Sequence, residues 1–152
     1  APAYYEDRDI ERTWEDYLPS NHVNLIDFTN SNKPIIERMR PMHHPRSDSN
    51  ATILPDGTVF VNGGHSYREM EFSVLTPEIY NYNNNEWYEM EQGSLRRNYH
   101  ATSLLLPNGT VLVAGGDTWS AEIYYPPYLF EETKNRPLYV IDEVVEPDQK
   151  NI

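Results

Sequence analysis

Two stretches of the chain carry the same turn-and-glycine signature at the same spacing. Residues 97–116 read RNYHATSLLLPNGTVLVAGG and residues 49–64 read SNATILPDGTVFVNGG. Pro55 stands to Pro107, Gly57 to Gly109 and Gly63-Gly64 to Gly115-Gly116 at one constant separation of 52 residues. In each copy an apolar run (residues 51–54 or 101–106) meets a Pro-x-Gly turn and returns as residues 58–61 or 110–114. Asp-Gly or Asn-Gly between two such runs predicts a β-hairpin, because the turn needs positive φ and these residues tolerate it.

A unit near fifty residues with Gly-Gly after its second strand predicts an all-β chain built from kelch-type β-propeller blades of four strands each. A closed ring needs at least four blades of roughly 40–50 residues. The 152 residues therefore amount to an incomplete ring: two full units and part of another. Remaining blades are expected from other chains or from the rest of a cleaved precursor.

The net charge is −12, from 12 basic and 24 acidic side chains. This argues against nucleic acid, whose phosphates need clustered Lys and Arg. No cysteine is present, so this chain holds no disulfide, thiolate metal site or cysteine nucleophile. No run approaches the eighteen or so apolar residues of a membrane helix. The start at Ala1, without Met or leader, predicts a processed or excised chain.

Along the chain, residues 1–20 are acidic and aromatic without a steady period and read as an arm or linker. Residues 22–28 alternate as a strand and 35–39 as a short second one. His43 and His44 lie in a Pro-flanked polar connection. As neighbours on an extended chain they face opposite ways, which favours a solvated loop over a metal site. The stretch after Gly64 carries His65, Tyr67 and Arg68 and is expected at the mouth of the propeller channel. Residues 74–82 read as a strand made irregular or edge-like by Pro77, and Trp87 in the next strand is expected to pack between blades. AEIYY at 121–125 repeats the PEIY strand of the first unit, Pro126-Pro127 breaks it, and YVIDEVV at 139–145 reads as a new strand. Asn50 and Asn108 head Asn-x-Thr sequons. Asn108, at a turn tip, is the glycosylation candidate.

Tyr99-His100, the run SLLLPNGTVLVAGG, then AEIYYPPYLF and Arg136-Pro137 resemble the C-terminal part of the galactose oxidase and glyoxal oxidase family of copper radical oxidases. The likeness covers roughly residues 49–145. The short loop after Gly116 is more similar to bacterial-type members. The resemblance implies that residues 21–132 are blades, two full units and part of another, of a seven-bladed kelch propeller. It also implies that 137–152 start an immunoglobulin-like β-sandwich just after the Arg-Pro pair.

It implies, further, that Tyr99 is the axial copper ligand and the base for the alcohol proton, and that His100 is an equatorial ligand. Imidazole suits copper, and a phenolate sharing its charge with a metal can serve as a base. Neighbours in a strand point apart, so joint ligation requires the backbone to leave strand geometry at the pair. The family's tyrosine–cysteine radical cofactor and a further histidine ligand would come from polypeptide outside this chain. In the earlier copy of the repeat, Ser47 and Asp48 stand where Tyr99 and His100 stand in the later one.

Two functions follow as expectations. One is part of a secreted, extracellular or periplasmic copper radical oxidase that oxidises a primary alcohol or aldehyde with O₂ and releases H₂O₂. The other is a non-catalytic propeller segment, structural or adhesive, in an extracellular assembly.

Overall fold

The computed structural model describes residues 19–30, 32–66, 72–116 and 118–131. The expected arm up to residue 18, Tyr67 and Arg68, and everything from residue 132 onward lie outside the described residues. That last part includes the strand at 139–145 and the start of the sandwich.

The described residues form three antiparallel sheets in chain order. The first is a pair, β1 (Asn24–Asp27) with β2 (Ile35–Arg38). The second has four strands in sequential order, β3 (Ser47–Ile53), β4 (Val59–His65), β5 (Glu78–Asn81) and β6 (Glu86–Glu89). The third has three, β7 (Ala101–Leu105), β8 (Val111–Gly115) and β9 (Ala121–Tyr124). The two Pro-x-Gly hairpins lie in different sheets, as blades require. Among the described residues the second unit stops at three strands. Pro126-Pro127 ends β9, and a 3-10 helix, Pro127–Phe130, replaces a fourth strand.

The hairpin turns are alike in detail. Gly57 and Gly109 take φ of 81° and 82°, and each donates its N–H back to a Leu carbonyl, Leu54 at 3.0 Å and Leu106 at 2.9 Å. Only the glycine is left-handed. Asp56 and Asn108 instead accept from the following threonine: Thr58 N and Oγ1 reach Asp56 Oδ1 at 3.0 and 2.7 Å, and Thr110 reaches Asn108 Oδ1 at 3.1 and 2.7 Å. The Asx-type bond, not positive φ, is what selects Asp or Asn there.

Side chains alternate across each strand, and both faces of the four-stranded sheet are used. One face gives Leu54, Phe60 and Ile79 to a core shared with Val111, Val113 and Tyr128 of the next unit. Phe60 stacks on Tyr124 across that junction, centroids 4.3 Å apart. The other face gives Val61, Tyr80 and Trp87, packed against Val23, Met39 and Met42 beside the β1–β2 pair. Trp87 donates its indole N–H to Arg40 O at 2.8 Å, so it packs between units as expected. The strand expected from residue 74 starts only at Glu78, just after Pro77. The strand is therefore interior to the sheet rather than edge-like, with the proline outside the ladder.

Candidate functional site

Each complete inner hairpin is pinned by one arginine. Arg46 Nη1 donates to Gly63 O (2.8 Å), and its Nη2 to Thr76 O (2.6 Å) and Glu78 Oε1 (2.8 Å). In the next unit Arg97 Nη1 donates to Gly115 O and Ser120 O, both at 2.9 Å, and Nη2 to Glu122 Oε2 at 3.1 Å. Arg46 and Glu78 have no side-chain exposure, whereas the second pair is 3% and 29% exposed.

Burial pushes the Glu78 carboxyl up, but hydrogen bonds from Arg46 and the His43 N–H, with the Arg46 charge, outweigh it and hold the carboxyl below its ordinary value. Burial opposes ionisation of Glu122 likewise, and the bonds from Ser94 and Arg97 carry it below its ordinary value. Sequence reading missed both pairs. The signal was the glutamate repeated inside the apolar EIY triplets, Glu78 and Glu122.

His43 and His44 are corrected in the same place. They are not merely solvated: His43 Nδ1 and N–H bind Glu78 Oε2 at 2.9 and 2.7 Å, and His44 Nε2 binds Glu89 Oε1 at 2.7 Å. The two rings do serve different carboxylates, as opposite-facing neighbours should.

The Tyr99-His100 pair sits on the junction between the two blades. Gly64 donates its N–H to Arg97 O at 2.8 Å. A Cβ on Gly63, at φ 68°, would lie 2.0 Å from that same oxygen. The Gly-Gly signature therefore exists at this junction so that the head of the next blade can rest directly on the backbone. From Arg97 the chain turns tightly. Ala101 N–H donates to Asn98 O at 2.9 Å and His100 takes φ of 63°, a left-handed conformation costing about 1–2 kcal/mol for a residue with a Cβ. As a result the two rings do not point apart. They stack with centroids 3.8 Å apart and planes at 31°. The departure from strand geometry that joint ligation requires is present, and Tyr99 is 57% exposed.

Asp48 holds the corresponding left-handed point of the first blade, φ 54°, and its Oδ2 lies 3.1 Å from His65 Nε2. His65 thus closes on the head of its own blade. Tyr124, a half-buried phenol near the junction, is pushed up to about 12 by burial and stays protonated at ordinary pH.

A phenol and an imidazole on one side of a turn suit a copper ion as two of its donors. Among the described residues no group of three or more His, Cys, Asp or Glu comes together, and the chain has no cysteine. The pair is at most part of a coordination sphere. Asn108 is exposed at its hairpin tip, with its Oδ1 engaged by Thr110. The same bonding at Asp56-Gly57-Thr58 gives the triplet a turn role independent of any glycan. Among the described residues no helix is long and apolar enough to cross a membrane.

No family model matches the chain. Two curated galactose oxidases of Gibberella zeae are each 34% identical to it over an alignment of 106 residues that covers 62% of this chain and 15% of each relative. A solved structure of a fungal alcohol oxidase of the AA5 family, in complex with copper, superposes with a TM-score of 0.67 at 23% identity, covering 84% of this chain and 30% of that one. The chain thus spans a small part of the relatives it matches. On sequence and on fold it is galactose oxidase-like, as its resemblance to the copper radical oxidases implied.

Proposed function

We propose that the chain is the blade portion of a copper radical oxidase that carries the Tyr-His ligand pair. In this reading the complete protein is secreted and converts a primary alcohol to an aldehyde, or an aldehyde onward, reducing O₂ to H₂O₂. The observation that carries the reading is the stacked, exposed Tyr99-His100 pair on a left-handed turn, in a chain similar to proteins named galactose oxidase. Copper, when bound, supplies Lewis-acid and one-electron chemistry. In this chain His100 would hold the metal through a ring nitrogen, and Tyr99 would take the alcohol proton on its phenolate oxygen.

Completion by further polypeptide belongs to the same reading. The outer edge of β9 has no partner strand among the described residues. Beside it runs an apolar groove of about 590 Å³ lined by Leu75, Met90, Leu95, Tyr124, Tyr125 and Phe130. On the four-stranded sheet β6 and Trp87 fill the corresponding place, which supports a strand from elsewhere in the protein as its occupant.

A second reading, a blade segment without catalysis, draws on the absence of any cysteine. Turnover separates the two. In the complete polypeptide, Tyr99→Phe should cut peroxide release by about 10²–10⁴-fold, the usual worth of a positioned base. Full turnover in that variant, or no copper signal in the parent, would remove the oxidase reading.

A further inference from the structure

The heads of the two blades differ by one residue. Arg46 is followed at the second position by left-handed Asp48, and Arg97 at the third by left-handed His100. Both arginines are fixed alike, on the carbonyls of Gly63 and Gly115 and on Glu78 and Glu122. The additional residue must therefore be absorbed between arginine and turn.

Asn98 absorbs it by going inward. It is 2% exposed, while its neighbour Tyr99 is 57% exposed. Its Nδ2 donates to Ser73 Oγ at 2.9 Å, across the junction to the first blade. Ser73 bridges His65 at the base of the loop that follows β4, and Ser66 N–H donates to Phe72 O at 2.9 Å there. Asn98 Oδ1 is buried with no hydrogen-bond partner among the described residues. An apolar side chain would avoid that desolvation loss. Retaining an amide here makes sense if the Ser73 bond is needed.

We propose that Asn98 is a positioning residue. Through Ser73 it fixes the turn at residues 98–101, sets the orientation of Tyr99 against His100, and ties that pair to the base of the loop closed by His65 and Ser73. The use of the pair as copper ligands rests on the reading above; the positioning itself needs no metal.

The test uses the complete polypeptide with carbon-labelled histidine. In the metal-free protein, the His100 ring resonance, assigned by its loss in His100→Asn, should carry the shielding expected from the Tyr99 face. Ser73→Ala and Asn98→Ala should both abolish that shielding, and Ser73→Thr should keep it. After copper loading, the first two should bind the metal about 10–100-fold more weakly, as outer partners of ligands generally do, with altered copper hyperfine splitting.

If both variants keep the parent's His100 resonance and copper spectrum and only their melting temperatures fall, Asn98 is filler and the inference is overturned. Should Asn98→Ala fail to fold, Ser73→Ala decides alone. If the parent takes up no copper while Ser73→Ala still shifts His100, the oxidase reading fails and this inference stands.

Discussion

Glu78 ties three residues to one buried carboxylate. One carboxylate, wholly buried, receives Arg46, the His43 ring and the backbone N–H groups of His43 and His44. Replacing it with glutamine leaves the Arg46 charge buried without a counter-ion, and losing one partner of a buried pair typically costs about 3–5 kcal/mol. Glu122→Gln should cost less, because that carboxylate keeps 29% of its exposure. Urea denaturation of the two variants should show that order. Acid should act through the same groups. Both carboxyls are held below their ordinary 4.5 in the folded chain. Their contribution is therefore complete above that value and is lost as pH falls below it through the depressed folded values. An unfolding midpoint that does not move between pH 6 and 3 would contradict this assignment. The repeated glutamates are visible in the sequence but their arginine partners are not: the two arginines stand 51 residues apart while the glycines stand 52 apart, so a repeat aligned on the turns conceals them. The offset is the same one-residue difference that places Asn98.

At the level of elements, what could be read was what local chemistry dictates. The Pro-x-Gly turns, the inner strands and the inter-unit role of Trp87 follow from turn geometry and period, and the structure has them. The start of β5 could not be read, because residues 74–77 look strand-like but Pro77 keeps them out of the ladder. Nor could the stop of the second unit at three strands among the described residues, since the break at Pro126-Pro127 is visible while the 3-10 helix that follows depends on Tyr128 packing into the inter-unit core and donating to Gly109 O. The Tyr-His pair was legible as residues, but its stacking depends on a turn set by tertiary contacts. The glycine pairs allow a clean comparison. Gly57→Ala meets nothing within 4 Å and should cost only the left-handed strain at φ 81°, about 1–2 kcal/mol. Gly63→Ala drives a Cβ onto Arg97 O and should cost distinctly more, because backbone cannot step aside as a flexible side chain can. Equal melting temperatures for the two variants would show that the blades do not meet through that glycine.

For the molecule as a whole, the two faces of the last sheet decide its behaviour alone in solution. The face bearing Val111 and Val113 is covered by the preceding blade. Alternation puts Leu104, Leu112 and Ile123 on the other face, and Leu104 and Ile123 are 57% and 43% exposed. On the preceding blade, Phe60 and Ile79 hold the positions of Leu112 and Ile123 and are buried at 1% and 6% against the next sheet. The repeat thus places a covering blade where the described residues have none, and adjacent to the unpaired edge of β9. A net charge of −12 opposes non-specific clustering, so association, where it occurs, should run through this face and be relieved by placing charge on it. Residues 1–152 expressed alone should elute from size exclusion as oligomers or bind a fluorescent hydrophobic probe, and Leu104→Lys with Ile123→Lys should shift them toward monomer and reduce probe binding. A parent that elutes as a monomer, binds no probe and unfolds cooperatively would mean that these blades stand unaided, and the requirement for further polypeptide would fall with it.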